Sequence, residues 1–266
     1  MVIDTHAHVF LTSLKSVSDA RYVPDYDASL AMYLDQLDSN GVEKGVLVQP
    51  SFLGTDNSYL IECLRNSDRL RGIVVVDPVI EIERLKEFDE YGVVGVRQNL
   101  IGKQIPEFQS LVWQNHLDAL ETLGWQLEFQ RNITDLPPIL EALKGYNFNI
   151  VIDHLGRPNK ENVPGSTAVD EIVNIAKKKK NLWFKVSGWY RAHVDENHFE
   201  FYASLFEYLV EKLGPECFVW GSDWPHTNFE HEINYKKSLE FINRLIKDDH
   251  LKEKILFDNP KRLFKF

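Results

Sequence analysis

Eight short apolar runs recur along the chain, each followed by a longer stretch of helical pattern, and that alternation restricts the folds open to it. The runs are "VIDT" (2–5), "GVLVQ" (45–49), "GIVVV" (72–76), "VVGVR" (93–97), "WQLEF" (125–129), "NIVID" (149–153), "LWFKV" (182–186) and "CFVWG" (217–221). Most are continuously apolar, as in parallel strands covered on both faces. Between them lie helical patterns at 30–41, 111–124, 135–146 and 197–214. The first ends in a glycine, and the third opens with prolines, which a first turn tolerates. Eight β-then-α units in 266 residues predict an α/β fold, a single (β/α)8 TIM barrel domain over 1–266. An open doubly wound sheet is the rival, but no glycine-rich phosphate loop follows the first strand. The polar segment 156–167 reads as a long βα loop, and the lysine run 177–180 as a solvated helix end.

The barrel mouth is where such a fold keeps its chemistry, at the C-terminal ends of the strands. The first strand runs into Asp4, His6 and His8, which share a face if the alternation is regular. The fourth ends at Arg97, and the fifth carries Glu128 and runs into Arg131. The sixth brings Asp153, His154 and Arg157; the seventh brings Lys185, Ser187 and Arg191; the eighth brings Asp223 and His226. His116, His193, His198, His231 and His250 fall in helices or loops and read as surface residues. Three histidines and an aspartate converging on one mouth make His6, His8, His154 and Asp223 the candidate functional cluster. Those four also suit a single Zn²⁺ with water completing the shell, and Asp4 would then partner a histidine N–H.

Charge points to the ligand. The chain carries 30 basic against 40 acidic side chains, a net charge of −10, which disfavours nucleic acid and anionic membranes as partners. Yet Arg97, Arg131, Arg157, Arg191 and Lys185 gather at the strand ends, with His226 beside them. A positive mouth in a negative protein suggests a small anionic substrate, with Arg97 and Arg191 its first contacts. The competing reading pairs some of these with Asp153, Glu128 or loop carbonyls. Trp189, Tyr190 and Trp224 would form stacking walls or pack loops, and the loops at 9–26 and 156–167 would cover the site. Cys63 and Cys217 form no CxxC pair, no basic segment followed by an apolar one opens the chain, and no apolar run spans a bilayer. The expectation is a soluble cytoplasmic protein, with its oligomeric state left open.

The motifs "DTHAHV", "DHLGRP", "WGSDWPH" and "DNPKRLF", in that order over essentially the whole chain, resemble the amidohydrolase-related proteins of the amidohydrolase superfamily. They are most similar to the branch containing 2-pyrone-4,6-dicarboxylate lactonase and sugar-lactone hydrolases such as L-fuconolactonase. The HxH pair alone is a weak signal; together the motifs are specific. The resemblance implies a metal-dependent hydrolase fold whose site is His6, His8, His154 and Asp223. It departs from the binuclear members, because the seventh strand "LWFKVSG" supplies no histidine and Glu128 is the spare carboxylate. It implies a lactonase, a hydrolase opening the ester bond of a sugar-derived or dicarboxylate lactone. Asp223 would activate water while His6, His8 and His154 polarise the carbonyl. The cofactor is either one divalent cation, Zn²⁺ or Mn²⁺, or none; no required metal is favoured, since the branch includes metal-free members. The alternative is a zinc-dependent decarboxylase of the wider family, which would need a further histidine on the seventh strand. A non-catalytic binding protein would have lost the HxH pair or the aspartate, and both are present.

Overall fold

The apolar runs become strands because each is buried on two faces, against the barrel interior and against the helices outside. The computed structural model describes residues 1–192 and 198–266; His193, expected at the surface, lies outside the described residues. The strands are β1 (Ile3–Ala7), β2 (Lys44–Val48), β3 (Leu70–Val74), β4 (Val93–Asn99), β5 (Gln126–Gln130), β6 (Ile150–Ile152), β7 (Leu182–Val186) and β8 (Phe218–Trp220). Each pairs in parallel with the next in the order β1 to β8. The main helices are α1 (Leu30–Ser39), α2 (Ser58–Arg65), α3 (Ile82–Glu90), α4 (Leu111–Leu123), α5 (Leu136–Ala142), α6 (Thr167–Lys178), α7 (His198–Leu213) and α8 (Tyr235–Leu245), one after each strand. The result is the (β/α)8 barrel. The sheet meets itself through the segment after β8, where His8 N–H donates to Trp224 O at 2.8 Å and Asp223 N–H to His6 O at 2.8 Å. Among the described residues no helix is long and apolar enough to cross a membrane.

Local signals set the helix ends. Ser29 caps α1 by accepting from Met32 N–H at 3.3 Å, and α4 stops at Gly124, whose φ of 61° an L side chain resists. The outer core packs Leu47, Val74, Leu127, Phe129 and Phe184 against the helices. Inside the barrel, Val46, Val48, Ile73, Val94, Val151, Trp183 and Val219 fill the lower half, with Leu263 and Phe264 at its floor. At about 1.5–3 kcal/mol per fully buried large apolar side chain, this dry plug keeps water from the underside of the polar layer above.

Two expectations are corrected. Asp4 does not turn into the mouth with His6 and His8. The register of β1 on β2 shifts between Asp4 and Ala7, and this bulge breaks the two-residue alternation. Asp4 accepts from the hydroxyls of Tyr33 on α1 (3.1 Å), Tyr235 on α8 (3.0 Å) and Ser222 (2.6 Å), tying two helices to the end of β8. His116 is not on the surface. It shares the inward stripe of α4 with Leu117 and Leu120 and lies edge-on to Trp113, 5.7 Å between ring centroids. His231 and His250 are exposed and His198 partly so.

Neither ring nitrogen of His116 has a hydrogen-bond partner, and burial pushes its pKa down to about 4. The folded ring therefore stays neutral while the unfolded one takes a proton below 6.5, so this contribution to stability is lost as pH falls from about 6.5 to about 4. His116→Leu should raise the melting temperature, by about 2–4 °C per kcal/mol gained, and by more at pH 5 than at pH 8. Thermal melts at the two pH values would show it; a variant no more stable at pH 5 contradicts the account.

Candidate active site

The polar upper half of the barrel opens into a cavity of about 550 Å³, lined by His8, Arg97, His154, Arg157, Tyr190, Arg191 and Asp223 from the strand ends. The loop after β1 contributes Arg21 and Tyr22 to the same wall. Asp223 lies at the centre. Its Oδ2 accepts from Tyr190 Oη–H at 2.7 Å and Arg191 Nε–H at 2.6 Å. Its Oδ1 faces His6 Nε2 and His8 Nε2, each at 3.8 Å. Burial pushes the Asp223 carboxyl up, but Arg191, then His154, His6 and His8, hold it well below the usual carboxylate range. Asp223 and His154 both sit at left-handed φ, 63° and 55°, a conformation costing about 1–2 kcal/mol for a residue with a Cβ. Hydrogen bonds from Asp223 N–H to His6 O and from Arg157 N–H to His154 O keep them there.

The imidazoles differ in what they present. His8 Nδ1 lies 2.7 Å from Val48 O, and a carbonyl only accepts, so His8 carries its proton on Nδ1 and its lone pair on Nε2. His154 Nδ1 lies 2.8 Å from Ser187 Oγ. His6 Nδ1 lies 3.1 Å from Lys185 Nζ, while its Nε2 has no partner. Burial lowers all three, His154 to about 3 and His8 well below the histidine value of 6.5, so the rings are neutral. Two glycines make room for them: a Cβ at Gly221 would lie 2.5 Å from His6 Cβ, and one at Gly188 2.6 Å from His154 Nδ1.

His6, His8, His154 and Asp223 are thus brought together, as the spacing predicts. Arg97, Arg157 and Arg191 reach the cavity, though Arg191 is held by Asp223 and by Thr227 O, and Arg97 Nη2 donates to Gln49 O at 2.6 Å. Three expected ligand contacts do not reach it. Arg131 bonds Asp135 at 2.8 Å and the carbonyls of Leu100 and Lys103, bracing the loop after β4. Lys185 is fully buried beneath the cavity, 2.6 Å from Glu128 Oε2 and 3.4 Å from Asp153 Oδ1. His226 is buried against Ser238 Oγ at 3.3 Å. A strand-end position tells which way a side chain points but not how deep it lies, which accounts for Lys185. Trp189 stacks on Phe241 and Trp224 on Tyr33, so both pack loops, whereas Tyr190 holds Asp223. Arg21 and Tyr22 carried no signal beyond lying in a long loop after β1.

Two groups among the described residues have the composition of a metal site: His6, His154 and Asp223, and below them His6, Glu128 and Asp153. Within each, one ligand atom per residue lies within 4.8 Å of the others. Burial pushes the Glu128 carboxyl up, while Lys185 at 2.6 Å pulls it back down.

A family model described as Amidohydrolase matches residues 3–266. The chain belongs to the amidohydrolase family. It is 31% identical over 98% of its length to 4-sulfomuconolactone hydrolase of Rhizobium radiobacter, covering 89% of that protein. It is 27% identical, with the same coverages, to 2-pyrone-4,6-dicarboxylate hydrolase of Comamonas testosteroni. The crystal structure of a probable 2-pyrone-4,6-dicarboxylic acid hydrolase from Acinetobacter baumannii, with citric acid bound, superposes with a TM-score of 0.95 at 36% identity, covering 100% of this chain and 99% of that one. A zinc-bound amidohydrolase of Burkholderia multivorans (14% identity, TM-score 0.80) and a 2,6-dihydroxybenzoate decarboxylase (16%, 0.69) share the fold alone.

Arg191 is the largest influence lowering Asp223, and burial alone raises it. Arg191→Met should therefore move the Asp223 pKa up, read from the carboxylate ¹³C shift during a pH titration. An unmoved value would show that the imidazoles, not Arg191, keep Asp223 ionised.

Proposed function

We propose that this protein is a hydrolase that opens the ester bond of a small anionic lactone, with Asp223 as general base. The observation that carries this reading is the pair of acceptors at the cavity floor. Asp223 Oδ1, ionised, and the His8 Nε2 lone pair face each other across 3.8 Å. Two acceptors at that distance repel unless a donor lies between them, and a water about 2.8 Å from each would give a hydrogen to both. Its lone pairs are then free to face the cavity. Attack on the lactone carbonyl carbon passes the water's proton to Asp223, and the carbonyl oxygen becomes an oxyanion stabilised by N–H groups of His6 and His154. When the ring C–O bond breaks, the proton moves from Asp223 to the departing oxygen, leaving a hydroxyl and a carboxylic acid, which releases its own proton to solvent as the carboxylate. His8 holds the water in this scheme and does not polarise the carbonyl, because its N–H is committed to Val48 O.

The arginines that ring the cavity support an anionic substrate, as do the carboxylate- and sulfonate-bearing names of the relatives and the citric acid bound to the Acinetobacter one. Similarity to the lactone hydrolases reaches 31–36% identity, whereas the decarboxylase shares only the fold. His6, His154 and Asp223 are ligand types that hold Zn²⁺ or Mn²⁺, and an ion there would act as a Lewis acid on the carbonyl. The reaction proposed here does not require it. Asp153, Glu128 and Asp223 are already matched by Arg97, Lys185 and Arg191, so a dication would leave the buried layer with excess positive charge.

The first test is turnover of sugar-derived and dicarboxylate lactones by enzyme stripped with a chelator, followed as proton release. Activity should persist; silence that Zn²⁺ or Mn²⁺ reverses would make the ion essential. Asp223→Asn should lower kcat by about 10²–10⁴-fold while substrate still binds. The protonations that stop this reaction begin below the ordinary histidine and carboxylate values, because burial and Arg191 lower the groups concerned. kcat/KM should therefore hold its plateau from pH 8 down through 6.5, and an acid limb centred at 6.5 would contradict the assignment.

A further inference from the structure

The two ligand groups share His6. The upper one meets the cavity through His154 and Asp223; in the lower one Glu128 and Asp153 are sealed beneath it, and neither carboxylate takes part in the steps above. Lys185 Nζ lies inside the lower group, 2.6 Å from Glu128 Oε2, 3.1 Å from His6 Nδ1 and 3.4 Å from Asp153 Oδ1. An ammonium has three N–H donors and no acceptor, and three acceptors surround this one.

We propose that Lys185 is a built-in cation occupying the lower ligand group, and that by donating to His6 Nδ1 it holds His6 as the tautomer with its proton on Nε2. Lys185 is then a positioning residue: it touches no substrate, but it decides that His6 offers a donor to the cavity side.

The surroundings agree from every side. Asp153 Oδ1 is the competitor that would favour the opposite tautomer, but at 3.4 Å it lies farther from His6 Nδ1 than Lys185 Nζ does at 3.1 Å. Gln126 Nε2 donates to Glu128 Oε1 at 2.7 Å, which leaves Oε2 for the lysine. Arg97 Nη1 is 3.9 Å from Asp153 Oδ2, so two carboxylates face two cations and the layer is neutral without an ion. The Phe264 ring lies beneath, 5.7 Å from Nζ. On the far side, His6 Nε2 faces Asp223 Oδ1 at 3.8 Å, where an N–H is favourable and a lone pair is not. Burial keeps the His6 ring neutral, so a lone pair on Nδ1 means a proton on Nε2.

Any effect on rate rests on the lactone-hydrolase reading; the tautomer and the ion do not. The first measurement is long-range ¹H–¹⁵N NMR on histidine-labelled wild-type protein, with His6 assigned by its loss in His6→Gln. The Nε2–H form is expected, and the Nδ1–H form overturns the proposal. In Lys185→Met, which fills the volume without charge, His6 should switch to Nδ1–H toward Asp153; an unchanged ring overturns it. In Lys185→Ala, which leaves room, calorimetric titration of stripped protein with Zn²⁺ should reveal one site about tenfold or more tighter than in wild type and in Lys185→Met. Affinity equal to wild type overturns it. With an active substrate in hand, Lys185→Met should lower kcat about 10–100-fold with KM little changed. Nε2–H in a wild type that turns over no lactone would sink the functional reading and leave Lys185 in place; lactone turnover with Nδ1–H would do the reverse.

Discussion

Lys185 Nζ lies 2.6 Å from Glu128 Oε2 and 3.4 Å from Asp153 Oδ1, with no solvent reaching any of the three. Withdrawing an ion from water costs several kcal/mol even after relaxation, so none of these charges would stay without its counterparts. They come from β5, β7 and the end of β6, and His6 on β1 and Arg97 on β4 join them from across the barrel. The interior is therefore braced from wall to wall by ions above and by apolar packing below. Removing any one charge leaves its partners buried without full compensation.

The same brace underlies the placement of Asp223. It stands one layer higher, where Arg191 and Tyr190 hold one of its oxygens and leave the other to the cavity. A carboxylate free to rotate would spread its charge over two directions; this one presents a single oxygen in a fixed place. Electrostatic groups that need no rearrangement at the moment of reaction gain most where water is scarce. The left-handed backbone at His154 and Asp223 belongs to the same arrangement, since the hydrogen bonds that hold the backbone also aim the side chains.

Much of this was legible in the sequence, and the failures have physical causes. All eight apolar runs became strands, although "GIVVV" at 72–76 pairs as Leu70–Val74, because register follows the neighbouring strand and not the apolar maximum. That His6, His8, His154 and Asp223 come together was recognisable from their spacing and strand-end positions. Asp4 was misplaced because a bulge is a register event between two strands and leaves no mark on one of them. Lys185 and Arg131 were read as ligand contacts because charge shows in a sequence while depth and local partners do not. His116 was hidden by the opposite assumption, that a histidine on a helix faces water. Arg21 and Tyr22 needed the path of a long loop, which no periodicity describes.

The site straddles the seam where the sheet meets itself. His6 and His8 come from the first strand and Asp223 from just beyond the last, and they are joined by backbone bonds from Asp223 to His6 and from His8 to Trp224. During synthesis His6 and His8 leave the ribosome well before Asp223, with seven strands still to follow β1. Contacts so distant in sequence form late and slowly in folding. A chain that stops short of Asp223 therefore carries His6 and His8 and yet no closed ring, so enzymatic activity doubles as a report that the ring has closed.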